Sequence, residues 1–122
     1  MRILKLIQRN MLQVVFSDTH NLPIGSSRAF IHNNSAVLST IAVHHSQQNR
    51  GFGGKILAET EQTLKNLFNV TNINLLAWQP CGSVNVVEFY QKNGYIISDN
   101  RVDTYDDQVQ LYDLIRLHKL IH

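Results

Sequence analysis

The chain has 122 residues, 43% hydrophobic and 16% charged, which suits one globular domain with a modest core and leaves no room for a second. Its formal charge is only +2, and its eleven Lys and Arg residues are scattered from Arg2 to Lys119, which argues against a dedicated nucleic-acid surface. The single cysteine, Cys81, excludes an intramolecular disulfide and fits a reducing compartment.

The amino terminus, Met1 to Phe16, mixes basic and apolar residues. Lys5, Gln8, Arg9 and Asn10 interrupt any run long enough for a signal peptide or membrane span, so a cytoplasmic protein without membrane association is expected. Up to about Asn10 the pattern fits a short strand or a helical turn equally. Met11 to Phe16 reads as a strand, and Asp18-Thr19-His20-Asn21 supplies turn formers. Arg28 to His32 reads as the next strand, Asn33-Asn34-Ser35 as a turn, and Ala36 to Val43 as a third strand of an antiparallel meander.

A segment with three glycines follows, His44-His45-Ser46-Gln47-Gln48-Asn49-Arg50-Gly51-Phe52-Gly53-Gly54-Lys55, and opens an amphipathic helix. Ile56, Leu57, Leu64, Leu67 and Phe68 form its apolar stripe. Glycine costs about 1 kcal/mol per helical position relative to Ala, so three together at a helix start need a reason. Amides at a helix start have no intrahelical partner and face the positive end of the dipole, so the layout suits an anion such as a phosphate.

Ile73 to Trp78 is the next predicted strand, parallel to Ala36–Val43 across the helical crossover. Pro80-Cys81-Gly82 is a break. Ser83 is a candidate cap for a second helix running to Asn93, with Gly94 just past its end. Tyr95 to Ser98 and Gln108 to Ile115 read as further strands, joined by a turn at Asp103 to Asp107; the tail Arg116–His122 is unassigned. Residues 1–122 thus read as one α/β (α+β) domain, the meander leading into strand-helix-strand-helix-strand.

Two familiar phosphate motifs fail on spacing. A P-loop needs glycine at Asn49 and Ser or Thr at Ile56, and the dinucleotide fingerprint needs glycine at Ile56. What remains, Gln48-Asn49-Arg50-Gly51-Phe52-Gly53, resembles the Q/R-x-x-G-x-G/A pyrophosphate loop of the GCN5-related N-acetyltransferases (GNAT). Downstream, Val86-Val87-Glu88-Phe89-Tyr90-Gln91-Lys92-Asn93-Gly94-Tyr95 resembles that family's second signature, A-x-x-F-Y-x-K-x-G-F. Ile73–Trp78 stands between the two, where the family has a strand. The turn motif Ile24–Arg28 and the tail Tyr105–Val109 loosely resemble the small bacterial ElaA-like members.

The resemblance implies a mixed sheet of the family's type and an acetyl-CoA-dependent N-acetyltransferase that moves an acetyl group directly to a primary amine, on a small-molecule or peptide acceptor. Acetyl-CoA is then a co-substrate, and no metal is required. Backbone groups of Ile41 and Val43 would hold the pantetheine arm and thioester. Amides of Gln48, Asn49, Arg50, Gly51, Phe52, Gly53, Gly54 and Lys55 would cradle the pyrophosphate. Tyr90 would be the general acid: attack on a thioester builds an oxyanion for a backbone N–H to stabilise, and the departing thiolate needs a proton that a neutral phenol supplies.

Departures from the pattern bear on function. Ser83 replaces the usual Asn at the second helix, and Val86 replaces the usual Ala. Ser39 and Thr40 stand where many relatives carry a catalytic Glu, leaving His44 and His45 as the nearest bases by position. The first two helices of the family, which wall the acceptor site, have no room ahead of Leu22, so the fold is expected to be N-terminally truncated, with the acceptor pocket either open or completed by a second subunit in a homodimer. A non-catalytic acyl-CoA-binding module, or an interaction domain of the same fold, is the alternative. The remaining histidines show no metal-ligand spacing with Cys81. Trp78 and Phe89 read as core, and Asp103, Asp106, Asp107 and Asp113 as a solvated turn and strand edge.

Overall fold

A computed structural model describes residues 1–98, 103–106, 108 and 110–122. By its contacts the chain forms two compact units, Met1–Ile73 with Ile121–His122, and Asn74–Leu120.

The first unit is a four-stranded antiparallel meander with one long helix. Strands β1 (Arg2–Gln8), β2 (Met11–Ser17), β3 (Pro23–His32) and β4 (Ser35–Val43) pair in sequence order. The amino-terminal segment, which fits strand or helix equally by pattern, is therefore a strand, fixed by pairing from Arg2↔Ser17 to Gln8↔Met11. Asn33 (φ 54°) makes the β3–β4 turn, a left-handed conformation that Asn tolerates well. Asp18 holds the β2–β3 loop by accepting the N–H groups of His20 and Leu22.

Helix α1 (Phe52–Phe68) packs on one face of this sheet. It buries Ile56, Leu57, Thr60, Thr63 and Leu64 against a core that includes Leu12, Val14, Phe16, Ala29, Ile31, Ala36 and Leu38. Two polar contacts tie it to the strands: Lys5 Nζ pairs with Glu59 at 2.9 Å, and the hydroxyls of Ser27 and Thr60 lie 2.5 Å apart.

A bulge sets the phase of β4. Arg28 pairs with Thr40 but Ala29 pairs with Leu38, so Ser39 is the extra residue. Before it Ala36 and Leu38 are buried; after it Thr40 and Ala42 are exposed while Ile41 and Val43 turn partly inward. The opposite face of the meander, away from α1, carries Leu4, Leu6, Gln13, Val15, Ser26, Arg28, Thr40 and Ala42 in matched cross-strand rows.

The second unit holds β5 (Asn72–Pro80) from Asn74 onward, α2 (Asn85–Lys92), β6 (Ile96–Ile97), β7 (Asp103–Asp106) and β8 (Leu111–Leu120). β8 lies between β5 and β6 and also pairs with β7. It runs five residues beyond the predicted end at Ile115, because the antiparallel pairs Ile97↔Leu117 and Ile96↔His118 recruit the tail. Residues 103–106 form a strand rather than a turn: an Asp-rich run has poor β propensity, and pairing with Leu111–Leu114 overrides it. Asp107 and Val109 lie outside the described residues. No described helix is long and apolar enough to cross a membrane.

Candidate active site

In the first unit the chain leaves β4 through a 3-10 turn at His45–Gln47 and enters α1 at Phe52. His44 N–H donates to the Ile24 carbonyl at 2.8 Å, fastening the strand end, and Gln48 Nε2 donates to the Val43 carbonyl at 3.1 Å. The Gln48 side chain therefore buckles the loop back onto β4, while its backbone stays with the loop.

The loop turns through two left-handed residues, Asn49 (φ 63°) and Gly51 (φ 78°). Gly51 is the N-cap of α1; no side chain caps the helix there, and its first turn holds no acidic residue. Lys55 N–H reaches back to the Gly51 carbonyl, so the helix proper begins there, and the amides of Phe52, Gly53 and Gly54 are the ones left open. Arg50 and Lys55 are exposed beside them, Lys55 Nζ lying 5.5 Å from the Phe52 ring centroid. An uncapped N-terminus of a 17-residue helix with two cations and no competing carboxylate is chemically matched to a phosphate or pyrophosphate. All eight loop residues from Gln48 to Lys55 fall within this turn and helix start. Ile41 and Val43 lie on the strand leading into it, paired on one side with Ser27 and Gly25.

Gly25 is a residue that motif reading misses. A Cβ there would sit 2.5 Å from the Ala42 carbonyl oxygen and 2.8 Å from Ile56 Cδ1, so only glycine lets β4 and α1 close at this point. Its one sequence signal is position in the Ile24–Arg28 turn motif.

The structure gives His44 a specific role. Ser46 N–H donates to His44 Nδ1 at 3.2 Å, and the Ser46 hydroxyl lies 2.8 Å from the same nitrogen. Both Ser46 contacts are made at Nδ1. His44 is thus the cap of the 3-10 turn. His45 is exposed and stacks on it at a centroid distance of 4.4 Å.

On the face away from α1, Gln13, Val15, Pro23, Ile24, Gly25, Ser26, Ala42, Val43 and His44 line an open cleft of about 350 Å³.

In the second unit Tyr90 sits on the last turns of α2, its ring edge-on to Phe89 (5.1 Å) and Tyr95 (5.7 Å). Burial pushes the phenol above its ordinary value, which already leaves a tyrosine protonated at neutral pH. Ser83 is not the helix N-cap: Val84 occupies that position, and Ser83 Oγ accepts only the Asn85 N–H at 3.3 Å. The amide in the first turn is satisfied instead by buried Gln79, whose Oε1 accepts from Val87 N–H at 3.0 Å. Gly94 has φ 91°, as expected past the helix end. Cys81 is a free thiol, exposed, and pushed above its ordinary value by desolvation and by the Asp113 carboxylate that accepts its S–H at 3.4 Å. Such a thiol is a slow nucleophile at neutral pH.

The described residues contain no group of three or more His, Cys, Asp or Glu side chains placed to hold a metal ion. Curated protein sequences yield no match to this chain. Among solved structures, spermidine/spermine N-acetyltransferase SpeG from Vibrio cholerae, crystallised with manganese ions, is similar with a TM-score of 0.76 at 18% identity, covering 91% of this chain and 65% of that one. A chimera of SpeG from Vibrio cholerae and hSSAT gives 0.75 at 18% identity, covering 91% and 67%. The chain thus spans about two thirds of the length of these structures, and at this identity the likeness establishes the fold. Residues 11–97, which run from β2 through α1 and α2 to β6, match the acetyltransferase (GNAT) domain family. The chain belongs to the GNAT acetyltransferase family.

Proposed function

We propose that the protein is an acetyl-CoA-dependent N-acetyltransferase that transfers the acetyl group to a primary amine by direct attack. The observation that carries this reading is the open N-terminus of α1: Gly51 in a left-handed cap, the free amides of Phe52, Gly53 and Gly54, and Arg50 and Lys55 beside them. These groups hold the pyrophosphate, and the backbone of Ile41 and Val43 guides the pantetheine arm. The amine nitrogen forms the new C–N bond as the C–S bond breaks, its electron pair staying on sulfur. Tyr90 gives its proton to that thiolate and recovers one, through solvent, from the amine. A tyrosine hydroxyl, protonated at neutral pH, suits this exchange. His44 holds the turn at the end of β4 through its Nδ1 contact with Ser46.

Amines of the polyamine class, named for the structural neighbours, belong in the first substrate panel, with amino acids and peptides. The test is calorimetric titration with acetyl-CoA, followed by coenzyme release on that panel. Binding with turnover supports the reading. Binding without turnover on any amine selects a non-catalytic acyl-CoA-binding module, and no binding removes both.

A further inference from the structure

We propose that the acceptor is a small amine that also carries a carboxylate, in the manner of a free amino acid, and that Arg28 is the residue that selects it. The inference rests on the reading of β4 and its loop as the donor side, given above.

The side chains of the meander divide cleanly between its two faces. Lys5, Ser27 and the core residues Leu12, Val14 and Phe16 face α1, as the Lys5–Glu59 and Ser27–Thr60 contacts show. Alternation and register then put two cross-strand rows on the open face: Leu4–Val15–Ser26–Ala42 and Leu6–Gln13–Arg28–Thr40. The cleft at the end of β4 includes Gln13, Val15, Ser26 and Ala42, with His44 at its rim. Arg28 stands directly across from Gln13 and two residues along β3 from Ser26, about 7 Å at strand spacing.

Carboxylates are few in this unit. The first unit has only three side-chain carboxylates, at Asp18, Glu59 and Glu61. Glu59 and Glu61 belong to α1, on the far side of the sheet, where Glu59 pairs with Lys5. Asp18 is turned into its own loop, accepting the His20 and Leu22 amides. Arg2 donates to the Asn21 side chain at 2.8 Å, whereas the exposed guanidinium of Arg28 makes no hydrogen bond or ion pair among the described residues. The cleft offers Gln13, the Ser26 hydroxyl and the His44 ring as polar groups, and Arg28, paired across from Gln13, is a full charge on the same face.

A polycation would meet one carboxylate from this unit at the cleft end, Asp18 in the loop beside Pro23, and one repelling guanidinium, Arg28, on the strand face. An amino acid seated with its amine towards Val43 places a carboxylate within reach of Arg28, whose planar fork makes two parallel hydrogen bonds to it. A cleft of about 350 Å³ stands at the small end of ligand pockets, which span roughly 300–1,000 Å³.

The test uses the full chain and amines matched except for the carboxylate: lysine with cadaverine, ornithine with putrescine, phenylalanine with phenethylamine, and spermidine besides. Coenzyme release is measured for each, with acetyl-CoA affinity measured separately by calorimetry and fold by melting. The expected result is a kcat/KM preference of about tenfold or more for at least one carboxylate-bearing member over its partner. In Arg28→Gln that preference collapses to about twofold, through KM and not kcat, with acetyl-CoA affinity retained; Arg28→Glu shifts preference towards the diamines. Equal or better turnover of the decarboxylated amines, a preference that survives in Arg28→Gln, or no turnover of any member by a protein that binds acetyl-CoA overturns the inference. Failure to bind acetyl-CoA overturns the donor reading and this inference together, so the two failures are read apart.

Discussion

The Ser27 and Thr60 hydroxyls lie 2.5 Å apart in the buried seam between β3 and α1, and Thr60 Oγ1 also donates to the Ile56 carbonyl at 2.7 Å. Thr60's proton is thereby committed, so Ser27 is the donor of the pair. The consequence is an asymmetry. Ser27→Ala leaves Thr60 bonded to its own helix and is expected to destabilise by about 1 kcal/mol, whereas Thr60→Val strands the Ser27 hydroxyl in the core and is expected to cost about 2–3 kcal/mol. Urea unfolding of the two variants measures the difference; equal losses would show that Ser27 finds another partner.

Gly25→Ala is expected to destabilise by about 2–3 kcal/mol, because the new methyl meets the Ala42 backbone and the Ile56 side chain together and only one of them can yield. Since Gly25 pairs with Val43, the displacement falls on the strand end that leads into the glycine loop. Acetyl-CoA affinity should fall along with the melting temperature. A variant with native stability would show that β3 and β4 separate at little cost.

For α2 the two candidate caps separate experimentally. Gln79→Leu removes the Oε1 acceptor from Val87 N–H and leaves that amide unsatisfied, an expected loss of about 1–2 kcal/mol. Ser83→Ala removes only a long contact to Asn85 N–H and should lie within about 0.5 kcal/mol of wild type. The reverse order in chemical denaturation would restore Ser83 as the cap.

At the start of α1, Arg50→Gln is expected to weaken acetyl-CoA binding about two- to fivefold, the worth of one exposed charge near a helix N-terminus, with the difference shrinking as salt rises. Gly51→Ala should weaken it further, because φ 78° places a Cβ in the left-handed region at about 1–2 kcal/mol. Salt-independent affinities in both would argue against an anion at this helix end.

Burial of Tyr90 sets two pH dependences. Its folded value lies above the ordinary tyrosine value of the unfolded chain, so its contribution to stability is complete below that ordinary value and is lost as pH rises through the folded one. As the general acid, Tyr90 would keep kcat flat past the ordinary tyrosine range before an alkaline fall, and Tyr90→Phe should lower kcat about a hundredfold and abolish that limb. Unchanged turnover in Tyr90→Phe removes it as the acid.

Much of this fold is legible in local chemistry. The alternation in Met11–Phe16 and Ala36–Val43, the asparagine turn between β3 and β4, the stripe Ile56, Leu57, Leu64, Leu67 and Phe68 (of which Leu67 is exposed) and the glycines ahead of it each use only neighbours in sequence, and each of these elements forms within a residue or two of its expected place. The Gln48–Lys55 segment is a loop and helix start for the same reason. Elements whose identity depends on a distant partner are harder to read. β1 is a strand because Met11–Ser17 pair with it, β7 because β8 does, and β8 reaches Leu120 because β6 extends its pairing.

What the sequence by itself determined, then, is the central run from β2 to α2, the anion-ready loop and the family signature around Tyr90, because periodicity, glycine and turn residues act over a few positions. Tertiary structure alone decided which side chain caps α2, that His44 spends its Nδ1 on Ser46, that Gly25 has no space for a methyl, and that Arg28 stands exposed across from Gln13 beside the cleft. Those outcomes follow from which surfaces meet, and a bulge of one residue at Ser39 is enough to reassign every side chain beyond it.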